Sequence, residues 1–78
     1  MKNIKVLGSG CKNCDTTAKL IVEVAAAQNL AIHLEKVTDM AAILGYGVMS
    51  TPGVVIDGRV VHAGSVPSRS MIEAWLGG

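Results

Sequence analysis

Thr51-Pro52-Gly53-Val54-Val55-Ile56-Asp57-Gly58-Arg59-Val60-Val61-His62 decides the fold. Two β-branched runs are joined by Asp57-Gly58. This pair favours a two-residue hairpin, because both central residues of such a turn take positive φ. The chain therefore carries a late hairpin and not an early one. Downstream, Pro67 to Leu76 has Met71, Ile72, Trp75 and Leu76 on one stripe, which predicts a closing helix that Ser65, Ser68 or Ser70 can cap. Upstream, Gly45-Tyr46-Gly47 forms a loop. Before it, Thr38 caps a short helix through Leu44, with Met40, Ile43 and Leu44 as its apolar face and Gly45 as its end. Ala31 to Val37 alternates, Ile32 and Leu34 facing one way and His33 and Glu35 the other, as a half-exposed strand does. Cys14 to Gln28 reads as a helix ended by Asn29. Its polar stripe is only Thr16, Lys19 and Glu23, so Leu20, Ile21, Val22, Val24 and the alanines predict that most of it is buried. Ile4 to Leu7 is a strand, broken by Gly8-Ser9-Gly10. The order is β-α-β-α-β-β-α.

The 78 residues allow one small domain, residues 1–78. Half are hydrophobic, enough for a core, yet Tyr46 and Trp75 are the only aromatics. The core must therefore be aliphatic, with the four methionines as filler. Seven basic and six acidic side chains leave a net charge of +1, so no broad charged face is on offer to nucleic acid or an anionic membrane. No apolar run approaches the roughly 18 residues of a membrane span, and the opening run is too short for a signal-peptide core. The expectation is a soluble, cytoplasmic domain. Gly8-Ser9-Gly10 lacks the spacing of a phosphate loop.

The cysteines, Cys11 and Cys14, stand C-x-x-C at the turn from the first strand into the first helix. As a staple the pair would close so short a loop that the chain-entropy model allows it only about 2 kcal/mol. Two chemistries remain: a redox dithiol, or two thiolate ligands for a soft metal such as copper, zinc or arsenite. A zinc knuckle needs more ligands, and His33 and His62, the only imidazoles, lie far away in sequence on outward strand positions. Small heavy-metal-associated domains also place C-x-x-C here, but they run β-α-β-β-α-β and carry a Met where this chain has Ser9.

With Cys11-Lys12-Asn13-Cys14 after the first strand, Thr51-Pro52 before the third and the hairpin around Asp57-Gly58, the chain resembles the thioredoxin-like superfamily. Within it the chain is most similar to the short glutaredoxin-like, redox-active-disulfide branch. The resemblance covers essentially the whole chain. It implies a thioredoxin-like α/β fold: a four-stranded mixed sheet in the order 2-1-3-4, flanked by helices. It implies thiol-disulfide oxidoreductase activity with no cofactor and no resident metal, the soft-metal carrier being the alternative. Protein disulfides or small thiols are the implied exchange partners, a flavoprotein similar to thioredoxin reductase the implied electron donor, and the protein is expected to act as a monomer. It also implies a cis bond before Pro52, which would pack beside the disulfide, expose the Thr51 backbone to an extended substrate and exclude metal. Lys12 and Asn13 complete the expected substrate-contacting surface. The chain departs from the glutaredoxin pattern, with Lys12-Asn13 between the cysteines and Gly64-Ser65-Val66-Pro67 before the last helix, which argues against glutathione as partner.

The residues supply a rationale for that chemistry. Exchange needs a thiolate, and a helix N-terminus offers unpaired N–H donors and about half a positive charge. Cys11, at the helix mouth, is then the nucleophile, and Cys14, one turn inward, is the resolving thiol. Lys12 favours the thiolate and Asp15 opposes it. Tyr46 either packs near the dithiol or forms a surface ring over the core.

Overall fold

The computed structural model describes residues 2–8 and 12–77. Seven elements follow in the anticipated order: β1 (Lys2–Leu7), α1 (Lys12–Ala27), β2 (Ile32–Val37), α2 (Met40–Gly45), β3 (Gly53–Ile56), β4 (Arg59–Ala63) and α3 (Arg69–Gly77). The strands form one sheet in the order β2-β1-β3-β4. β1 and β2 run parallel, with Lys2 opposite Ile32 and Leu7 opposite Val37. β3 is antiparallel to both β1 and β4. This is a thioredoxin-like α/β fold with a mixed sheet.

Asp57 and Gly58 take φ of 50° and 84°, as a tight hairpin turn requires. Asp57 also ties that turn to β1. Its backbone N–H donates to the Asn3 carbonyl at 2.8 Å, and its Oδ1 accepts from the Asn3 N–H at 2.9 Å. In β4 the register shifts between the partners of Val54 and Val55, His62 and Val60, so Val61 forms a bulge. Asn29 ends α1 in the left-handed region, φ 55°. The Leu30 N–H then reaches the Ala25 carbonyl at 2.9 Å and the Asn29 N–H reaches Ala26 at 3.1 Å, a Schellman arrangement.

The strand alternation sorts the core into two clusters. On one face Ile4, Val6 and Val54 meet Cys14, Ala18, Ile21, Val24 and Ala25 of α1 and Ile72 and Leu76 of α3. Trp75 packs partly buried against this cluster. On the other face Leu7 and Val55 meet Ile43 and Val48, with Val37 and Tyr46 at the margin.

Several sequence expectations are corrected by this layering. α1 buries a single stripe, Cys14, Thr17, Ala18, Ile21, Val24 and Ala25, and leaves Val22 49% exposed. The reason is geometric: the helix lies on one sheet face beside α3, and among the described residues no element packs behind it. α2 is capped by Asp39, whose side chain accepts from the Ala41 N–H at 3.3 Å, and not by Thr38. Only Ile43 of its apolar residues is buried; Met40 and Leu44 are exposed. The methionines in the described residues are not core filler either. Met40, Met49 and Met71 are all exposed, Met49 to 88%. α3 begins at Arg69 and not at Pro67, with the Ser68 Oγ accepting from the Met71 N–H at 3.2 Å. Ser68 is thus the cap among the three serines.

Candidate active site

The strand β1 ends at Leu7, and Gly8 extends its parallel ladder by one bond, its N–H donating to the Val37 carbonyl at 2.9 Å. Across from it α1 begins at Lys12. Cys11, Ser9 and Gly10 lie outside the described residues, so the placement anticipated for Cys11 at the helix mouth is not described by the structure. Cys14 is described. It is 4% exposed, belongs to the α1-side core cluster and is disulfide-bonded.

The surroundings of Cys14 follow from three elements. The first is Gly8, buried at the end of β1. A Cβ built there would overlap the Cys14 Sγ outright and would stand 3.3 Å from the Thr51 Cβ. The second is the loop before β3, which brings Thr51 to the same spot. The Thr51-Pro52 bond is cis, as the resemblance implied. Pro52 is fully buried while Thr51 is exposed, and the Pro52 carbonyl accepts from the Gly64 N–H at 3.0 Å, which fastens the loop to the end of β4. The third is the first turn of α1. Lys12 and Asn13 are exposed there. Their carbonyls accept from the side chains of Thr16 and Thr17 at 3.0 and 2.8 Å. Thr17 is fully buried, and this bond to Asn13 satisfies its hydroxyl inside the core.

Two contributors escape a reading of the sequence. Gly8 reads there as a strand breaker, although a glycine at a strand end also signals close approach of another group. Lys36 carries no local signal at all. The structure pairs its Nζ with the Asp15 Oδ1 at 2.7 Å, linking β2 to the first turn of α1. The acid expected to oppose Lys12 therefore has a cation of its own. Tyr46 is the surface ring over core: it packs against the Leu7–Ile43–Val48–Val55 cluster, and the Lys5 Nζ donates to its hydroxyl at 3.3 Å. His33 is exposed. His62 is half-buried, its ring 6.0 Å from that of Trp75 and its Nε2 3.1 Å from the Ser65 Oγ. Among the described residues no three His, Cys, Asp or Glu side chains converge where they could hold a metal ion, and no helix is long and apolar enough to cross a membrane.

A buried, disulfide-bonded cysteine in the first turn of a helix, beside a glycine that also adjoins the loop before β3, fits the class of thiol-disulfide redox proteins. Comparison of the chain with known families agrees, for residues 2–77 match the thioredoxin domain family. The chain belongs to that family. It is 32% identical over 76 residues to a thioredoxin of Methanothermobacter thermautotrophicus, covering 97% of this chain and 99% of that one. A thioredoxin of Methanocaldococcus jannaschii is 32% identical over 73 residues, covering 94% of this chain and 84% of its own length. A second thioredoxin of that organism is 28% identical over 67 residues.

Proposed function

We propose that the protein is a dithiol-disulfide exchange protein in which Cys11 is the nucleophile and Cys14 the resolving thiol. The observation that carries this reading is the position of Cys14: disulfide-bonded, 4% exposed, and packed against Gly8, which also adjoins Thr51 of the loop before β3. A thiol held there is shielded from an incoming substrate and is suited only to attack from within. The Cys11 thiolate attacks one sulfur of a substrate disulfide, forming a mixed disulfide and releasing the other sulfur as a thiolate that takes a proton. The Cys14 thiol, losing its proton, then attacks the Cys11 sulfur. The second substrate sulfur leaves as a thiol, and the protein keeps a Cys11–Cys14 disulfide. Substrate gains two electrons and two protons, and the dithiol loses them.

Lys12, Asn13 and Thr51 form the substrate-contacting rim. Lys12 and Asn13 are exposed in the first turn of α1 and Thr51 in the loop before β3, where its backbone would pair with an extended segment. Pro52, fully buried in the loop behind Thr51, is the residue that would take up the space a metal bound by the two thiols needs. The exchange partners are protein disulfides or small thiols, the electron donor is a flavoprotein of the thioredoxin-reductase kind, and glutathione is disfavoured as partner. The protein acts as a monomer in the cytoplasm, where a dithiol is kept reduced.

The test is a trap. Cys14→Ser should retain substrates on Cys11 as mixed disulfides that dithiothreitol releases, and Cys11→Ser should retain none. Equal capture by both variants overturns the assignment. Stoichiometric metal in the wild-type protein that survives a chelator wash would favour the carrier reading instead.

A further inference from the structure

We infer that Gly8 is a positioning residue for the resolving thiol: the space left by its missing Cβ is the seat of the Cys14 sulfur. The inference deepens the dithiol reading and rests on it for its catalytic meaning.

Three observations converge. A Cβ at Gly8 would occupy the place of the Cys14 Sγ, and its next neighbours would be the Thr51 Cβ at 3.3 Å and the Cys14 Cβ at 3.4 Å. The Gly8 backbone is not free to retreat, because its N–H is bonded to the Val37 carbonyl at 2.9 Å within the parallel ladder. Thr51 cannot retreat easily either, since Pro52 behind it is fully buried and bonded to Gly64. A methyl group at position 8 must therefore displace the sulfur rather than the strand or the loop. Gly8 thus fixes the depth at which Cys14 lies and its distance from the backbone that would receive substrate. Gly53 provides a matched control. A Cβ there would press on the Val48 Cγ1 at 3.2 Å and the Leu7 Cδ1 at 3.4 Å, in the other core cluster and with no sulfur nearby.

The experiment compares wild type, Gly8→Ala and Gly53→Ala after reduction, with iodoacetamide labelling of each cysteine followed by peptide mass spectrometry. In folded Gly8→Ala the Cys14 thiol should be alkylated at least about tenfold faster than in wild type or Gly53→Ala, whose Cys14 stays protected. Resolution of a mixed disulfide preformed on Cys11 should slow by a similar factor. Cys14 protected equally in all three folded proteins overturns the inference. Gly8 has a φ of +156°, which burdens any side chain by itself. For that reason, and in case Gly8→Ala does not fold, a double-mutant cycle isolates the sulfur. Under reducing conditions the fall in Tm caused by Gly8→Ala should be at least halved in a Cys14→Ala background, whereas the fall caused by Gly53→Ala should be the same in both. An undiminished effect of Gly8→Ala overturns the inference. The alkylation and Tm readouts require no substrate, so failure of the trap with success in both would leave Gly8 seating a structural sulfur and would refute only the exchange function.

Discussion

The two faces of the sheet are covered very differently. One lies under a 16-residue and a 9-residue helix, and the residues buried there include Val24 and Ile72, both at 0% exposure. Among the described residues the other has as its only helix the six-residue α2, which contributes a single buried side chain, Ile43, beside Val48 and Tyr46 of the following loop. Further along the strands that second face is open, and Asn3, Lys5, His33, Glu35 and Asp57 line a polar groove on it. Cys14 belongs to the thick face and Leu7 to the thin one, with Gly8 following Leu7 at the end of β1. The site therefore sits on the seam. Its sulfur is anchored in the thick layer, and the loop carrying Thr51 and Pro52 emerges from the thin one.

The largest effect that tests this contrast is a matched truncation. Ile72→Ala removes a residue wedged among α1, α3 and the sheet, and should cost about 3–5 kcal/mol in urea unfolding. Ile43→Ala deletes the same atoms at nearly the same burial, 2% exposed. It should cost nearer about 2 kcal/mol, because a short helix with exposed flanks can settle into the space left behind. Equal losses would mean that the thin face is as tightly determined as the thick one. Amide exchange should follow the same division, with Ile43 and Leu44 opening more readily than Ile21 to Ala25.

The same contrast explains what the sequence allowed to be read. The hairpin, β2 and the end of α1 depend on local chemistry: Asp57-Gly58 at positive φ, the alternation from Ile32, and Asn29 in the left-handed region. These elements stand where they were expected. An apolar residue, however, does not state whether anything will cover it. Val22, Met40 and Leu44 share the composition of core residues, but the fold brings nothing over them. Cys14 and the cis Thr51-Pro52 bond were legible through spacing and resemblance. The Gly8 seat and the Lys36–Asp15 pair were not, since both arise from register between elements distant in the chain.

A smaller effect concerns how the thin layer starts. Asp39→Ala removes the oxygen that accepts from the Ala41 N–H and should cost about 0.5–1 kcal/mol. Thr38→Ala should cost nothing measurable by the same urea titration, although by residue type Thr38 is also able to cap. A larger loss from Thr38→Ala would move the start of α2 and with it the position of Ile43.

The smallest effect lies on the open half of the thin face. The Lys5 Nζ donates to the Tyr46 hydroxyl at 3.3 Å and lies 5.9 Å from the centre of its ring. The hydrogen bond to Tyr46, then the field of that phenol and of Glu35, raise the Lys5 pKa above its ordinary 10.5. A group that holds its proton more tightly when folded stabilises the fold fully while it is charged in both states. That contribution is whole below about pH 10.5 and is lost as pH rises through the raised folded-state value. Lys5→Met keeps the aliphatic stem and removes the charge. The Tm gap between wild type and Lys5→Met should hold constant through neutral pH, then narrow above pH 10.5. Added salt should shrink it, since the amine faces water. A gap that widens as the pH rises would reverse the sign of the interaction and show that the amine is not what holds Tyr46 over the thin core.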